Sequence, residues 1–146
     1  MKTFEDILGY EYDWLATDRL GYVALFSTAG LGYAPLPFLE DTDLYDDTIE
    51  AILCLSVSTA SKVYPKIDIE HDNTWKRVSE RGLYSFDADV NTGIYHVASI
   101  PQEPLLLHEL PKNIASVIER VKLESVLFNE ASIISELDIK SKYSAQ

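Results

Sequence analysis

Apolar runs bounded by turn residues alternate along the chain with segments whose apolar positions recur at helical spacing. Tyr12 to Thr17 and Tyr22 to Ser27 are rich in aromatic and β-branched residues. Asp18-Arg19-Leu20-Gly21 lies between them, a turn sequence that predicts a β-hairpin with Trp14 and Ala16 on one face. Two glycines and two prolines then mark Ser27 to Pro37 as loop. Asp41, Thr42 or Asp43 can cap the next segment, and Tyr45, Ile49, Ile52, Leu53 and Ser56 recur at helical spacing, predicting a helix over 44–59. A shorter helix over 73–81 starts at Asn73, turns Trp75 and Val78 inward and stops at Gly82.

Leu83 to Ala88 and Ile94 to Ile100 form a second predicted hairpin across Asp89–Gly93. Leu105 to Leu107, hemmed in by Pro101, Pro104 and Pro111, reads as an edge strand or extended segment. Pro111 suits the first turn of a helix carrying Ile114, Val117, Ile118 and Val121 on one stripe. Beyond Lys122 the pattern is ambiguous: Leu123, Val126 and Phe128 fit strand or helix, and Ala131 to Leu137 reads as helix. Hairpins alternating with helices imply the α+β class, with an antiparallel sheet of about four to six strands and helices packed mainly on one face. The expected organisation is one domain over 1–139 and a flexible polar tail over 140–146.

Charge changes this picture more than composition does. Twenty-four acids against twelve bases give a net charge of −12. A field of that sign repels phosphate backbones and anionic lipid, so neither nucleic acid nor a membrane is an expected partner. The imbalance is concentrated: residues 1–50 hold eleven acids and two bases, and the remaining 96 residues carry only −3. Asp43, Asp46, Asp47 and Glu50 fall on or near the first turns of the predicted helix, where they complement its positive end. The same cluster, with Asp41, also offers a docking surface for a cationic protein. Nine tyrosines suit a core edge or an interface, with Tyr45 the candidate aromatic anchor of that surface.

The lone cysteine, Cys54, excludes an intramolecular disulfide and fits a reducing cytosol, and its apolar surroundings predict a small buried hydrophobe. The opening MKTFEDILGYEYDW has early acids and no long apolar stretch, so neither a signal peptide nor a membrane span is expected. These features place the chain in the cytoplasm as an expectation.

Candidate chemistry is sparse. His71, His96 and His108 show no zinc-ligand spacing, and no metal or cofactor is expected. Glu70-His71-Asp72 looks catalytic, but neighbours on an extended chain point to opposite sides, and the triplet reads as a polar loop before Asn73. Glu11 and Asp13, two apart on a predicted strand, share a face without a recognisable partner motif. Ser27 lacks the flanking glycines of a hydrolase elbow, and Gly30-x-Gly32 lacks the rest of a phosphate loop. Ser27, Thr28, Gly30 and Gly32 nevertheless follow a strand directly and could line a small pocket; the alternative is a tight structural crossover.

Tyr12-Asp13-Trp14-Leu15-Ala16-Thr17-Asp18, then Gly21 to Gly30 with its Val-Ala-Leu-Phe-Ser-Thr-Ala-Gly run, and later Ile100-Pro101-Gln102-Glu103-Pro104-Leu105 and Glu109-Leu110-Pro111 form a recognisable set. Over roughly 12–128 the chain resembles a family of small bacterial proteins associated with immunity to polymorphic toxins and contact-dependent inhibition. That resemblance implies a cytosolic, non-enzymatic protein that binds and neutralises one cognate toxin. Many such toxins are basic nucleases, which an acidic inhibitor suits. A small-molecule binder or enzyme using the Ser27–Gly32 loop, and an interaction module unrelated to toxins, are the alternative readings. The pattern leaves the oligomeric state open.

Overall fold

A computed structural model describes residues 1–64 and 73–144. In chain order the elements are α1 (Phe4–Ile7), β1 (Asp13–Asp18), β2 (Val23–Ser27), α2 (Leu36–Glu40), α3 (Thr42–Leu53), β3 (Ser61–Val63), α4 (Thr74–Ser79), β4 (Tyr84–Ala88) and β5 (Tyr95–Pro101). A 3₁₀ turn over Leu107–Glu109 follows, then α5 (Lys112–Ile118), β6 (Lys122–Leu123), β7 (Ile133–Ile134) and α6 (Glu136–Ser144). Thus α6 runs through Lys140 into the segment expected to be a tail, and 145–146 lie outside the described residues.

Both predicted hairpins form, β1 with β2 and β4 with β5. The sheet is nevertheless mixed, not antiparallel throughout. Its order is β3-β5-β4-β2-β1-β6, with β7 also on β5. The two hairpins meet along β2 and β4, which run parallel, and β1 pairs in parallel with β6. Parallel neighbours need a long return connection. The chain from β2 to β4 supplies one that contains α2, α3, β3 and α4. Local periodicity predicts each hairpin but holds no signal for how two hairpins join.

Alternation along the strands sets two faces. On one, Trp14 and Phe26 are paired across β1 and β2, and Phe86 is registered with Phe26 across β4. Their rings stack at 4.1 Å and 5.1 Å, and Phe128 closes on Phe26 and Phe86 from the segment after β6. On the other face, Trp75 of α4 donates from Nε1 to Ser27 Oγ, and its carbonyl accepts from Ser99 Oγ. Helix α3 packs beside α4 and α5 and against β1. Thus α3, α4 and α5 form one layer, while the C-terminal segment covers the aromatic face.

Several expectations change. Helix α3 stops at Leu53, short of the predicted 59, and Cys54 is its exposed C-cap residue instead of a buried hydrophobe. The following Leu-Ser-Val-Ser-Thr run is rich in serine and β-branched residues, which favour helix poorly. Leu105–Leu107 is no regular edge strand: Leu106 makes one isolated bridge to Tyr22 before the 3₁₀ turn. Ile133 and Ile134 pair with β5, so helix begins only at Glu136. The Glu70-His71-Asp72 triplet lies outside the described residues. Among the described residues, no helix is long and apolar enough to cross a membrane.

Candidate acidic docking site

The acids of the amino-terminal third start on separate elements. Asp41 caps α3, its Oδ1 accepting from the Leu44 amide at 3.1 Å. Asp43, Asp46, Asp47 and Glu50 then occupy i, i+3, i+4 and i+7 and are all exposed. The adjoining stripe of Thr42, Tyr45, Thr48, Ile49 and Ile52 is buried. Tyr45 is therefore not a surface anchor. It is fully buried, with its ring edge-on to Phe38 at 5.2 Å, because its position on the helix belongs to the core stripe.

The sheet brings further carboxylates to this helix. Asp13 opens β1, Ser27 closes β2, and Asp87 lies one residue from the end of β4. Register places them side by side, Asp13 opposite Ser27 and Ser27 opposite Asp87, with His96 of β5 next to Asp87. Cross-strand neighbours share a face, so four polar side chains form one row across four strands. Ser27 Oγ donates to Asp13 Oδ1 at 2.6 Å and accepts from Trp75 Nε1 at 2.9 Å. Both valences used here are satisfied, so the hydroxyl bridges β1, β2 and α4.

Asp13, Asp46 and Glu50 line a groove of about 340 Å³ with Ile49, Leu53, Thr74 and Arg77. The carboxylates act on one another along this surface. Burial pushes Asp13 above the usual carboxylate range, and Glu11 and Asp46 add to the rise against the Ser27 hydrogen bond. Burial likewise raises Asp46, helped by Asp43 and Asp47. Asp87 is pushed up to about 6 by burial, then by Glu11 and Asp13, while the Ala88 amide and His96 oppose the rise. Each ionised form is costly first because burial strips it of water and then because neighbours have the same sign, so an incoming cation would stabilise the set.

The residues of the Ser27–Gly32 loop are held by separate contacts. Ser27 faces the row just described. Thr28 is buried, and its Oγ1 accepts from the Tyr12 amide at 3.0 Å. Gly30 packs on Gly9. A Cβ on Gly32 would fall 2.6 Å from the Tyr95 hydroxyl. These contacts are those of a tightly packed crossover. Among the described residues no cluster of histidine, cysteine and carboxylate side chains could hold a metal ion.

The sequence reading missed Asp87, because a single acid in a strand carries no spacing signal. It also missed Asp18, which is fully buried. Its Oδ1 accepts from the Leu20 and Tyr22 amides and its Oδ2 from the Phe128 amide, tying the first hairpin turn to the C-terminal segment. The other motif residues are also structural. Glu109 closes the 3₁₀ turn on the Leu106 amide, Leu110 is buried, and Pro111 precedes α5.

The chain matches no family model, no curated protein and no solved structure.

Proposed function

We propose that this chain is a cytoplasmic binding protein that captures a cationic protein through the surface of α3 and the adjoining sheet end. The biological role we infer is neutralisation of a cognate bacterial toxin, without catalysis by the chain itself. One observation carries the reading: strand register and the approach of α3 bring Asp13, Asp46 and Asp87 of three different elements together, and the charges of Glu11 and Asp46 add to the rise of Asp13 while those of Glu11 and Asp13 add to that of Asp87. Asp43 and Asp47 extend that field along α3. Arg77 lines the same groove and offsets part of this charge, but three carboxylates against one guanidinium leave the surface acidic, and a net field of one sign accelerates encounter with its opposite.

The alternative of a small-molecule binder or enzyme using the Ser27–Gly32 loop is weaker because the Ser27 hydroxyl is held between two side chains, donating to Asp13 and accepting from Trp75.

The test first asks whether the gene adjacent to this chain's own encodes a toxin domain, which a non-toxin neighbour would answer against the proposal, and then pairs the chain with that domain. Stopped-flow association is measured for the wild type and for Asp46→Asn/Asp47→Asn/Glu50→Gln. The expected result is a rate about tenfold slower for the variant at low salt, with the difference closing as salt screens the field. Equal rates at low salt, or no complex and no protection of toxin-expressing cells, would refute the proposal.

A further inference from the structure

The same end of the sheet carries an apolar feature outside the acidic groove. Three connections meet there: 8–12 before β1, 28–32 after β2, and 89–93 between β4 and β5. The Gly9 amide donates to the Gly30 carbonyl at 2.8 Å, and the Thr28 amide donates to the Tyr12 carbonyl at 2.8 Å. Gly93 lies against Leu31, whose carbonyl would be 3.0 Å from a Cβ placed there. Gly9, Gly30 and Gly93 all have positive φ, and Ala29, at φ 50, is held in a conformation that side-chain-bearing residues rarely adopt. Asp89 Oδ1 accepts from the Asn91 and Thr92 amides and fixes the third tip.

These ordered tips display large apolar side chains. Tyr10 is 66% exposed and Val90 67%, and Leu8 and Leu31 are also exposed. Single exposed apolar residues are ordinary on a surface. Here four of them lie on backbones that hydrogen-bond or pack together. Glu11 and Asp89 adjoin them in sequence, Asp13 and Asp87 lie three residues away, and none of 8–13, 28–32 or 87–93 contains lysine or arginine.

We propose that Leu8, Tyr10, Leu31 and Val90 form the apolar anchor of the docking surface and receive a hydrophobic side chain flanked by basic residues on a cationic protein. This deepens the proposed function and rests on it. The charge complement selects the occupant: the surrounding acids disfavour an anionic lipid surface and a second copy of this equally acidic chain. The division of labour follows, with the acids setting how fast the partner arrives and the apolar tips how long it stays.

The experiment titrates the isotope-labelled full chain with two peptides of equal charge and follows amide shifts. One is oligolysine, and the other carries a central leucine and tryptophan among its lysines. Oligolysine is expected to shift Glu11, Asp46 and Asp87 and to be released at high salt, where screening is short-ranged. The mixed peptide is expected to bind about tenfold more tightly, to persist at high salt and to shift Gly9, Gly30, Leu31 and Val90 as well. Tyr10→Ser/Leu31→Ser, or independently Val90→Ser, should reduce its affinity towards that of oligolysine while the rest of the spectrum stays folded. Equal affinity of the two peptides at high salt, or full retention by both variants, overturns the anchor while leaving the charge reading intact. Failure of oligolysine to bind at low salt removes the charge reading and the anchor together. A dimer in sedimentation that these substitutions abolish would assign the tips to a second copy and also overturn the proposal.

Discussion

Asp18 shows how one side chain can join two distant segments. Its carboxylate accepts three backbone amides, two within its own turn and one 110 residues away at Phe128. Asparagine keeps the shape but replaces one acceptor oxygen with a donor, which must then face an amide N–H. Leaving a buried donor unmade costs more than the net gain of the original bond. Asp18→Asn is therefore expected to destabilise the fold by about 3 kcal/mol in urea unfolding. The loss should appear first as faster exchange at Phe128 and Tyr22. Unchanged stability would mean that the connection does not hold the C-terminal segment. Gly32 poses a steric version of the problem. A Cβ there would lie 2.6 Å from the Tyr95 hydroxyl and 2.8 Å from Ala88 Cβ. That hydroxyl accepts from Trp14 Nε1 and donates to the Tyr33 carbonyl, so it cannot move without breaking a buried chain. Gly32→Ala should cost about 2 kcal/mol by thermal unfolding, and a silent substitution would show that the tyrosine can shift freely.

At the scale of elements, strong local signals survive folding. Asn73 accepts from the Lys76 amide as an N-cap should, Gly82 takes a positive φ just beyond α4, and both hairpins form near their predicted bounds. What the pattern could not supply was pairing without local cause. The parallel contact of β2 with β4, the two-residue strands β6 and β7, and the row of Asp13, Ser27, Asp87 and His96 all arise from tertiary register. The acids of α3 were legible as a cluster because one helix carries them. Asp87 was not, because it is a cross-strand neighbour and not a sequence neighbour of the others. The stripe rule also explains the error at Tyr45: proximity in sequence to Asp46 says little about which side of the helix it occupies. Asp41 tests the helix that presents the acids. Removing its cap to the Leu44 amide in Asp41→Ala should cost about 1 kcal/mol and loosen the first turn of α3. Hydrogen exchange should accelerate at Leu44 and Tyr45 while the strands stay protected, and uniform protection would argue that packing alone fixes the turn.

For the whole molecule, the acidic surface couples stability to pH, and the proposed binding would be coupled with the opposite sign. Asp13, Asp46 and Asp87 all have raised pKa values in the folded chain, Asp87 to about 6. The folded state therefore holds more protons than the unfolded state between the ordinary carboxylate range and that value. Where the folded state binds more protons, stability falls as pH rises. The contribution is fully present below the unfolded pKa and is lost as pH climbs through about 6. Asp87 is half-buried, so solvent screening reduces its share to roughly 1 kcal/mol. Asp6 and Asp89 have lowered pKa values and act the other way, but their stabilisation is lost only below the ordinary range, outside this window. Thermal midpoints should thus rise from pH 7 to pH 5, and Asp87→Asn should raise the midpoint at pH 7 and flatten the profile. A cationic partner reverses the preference, since its charge favours the ionised carboxylates that the free chain disfavours. Complex formation should release protons near pH 6, measurable as a buffer-dependent heat of binding, and affinity should weaken as pH drops over the interval in which the free protein gains stability. If stability and affinity moved in the same direction across that interval, the carboxylates titrating there would not be those that meet the partner.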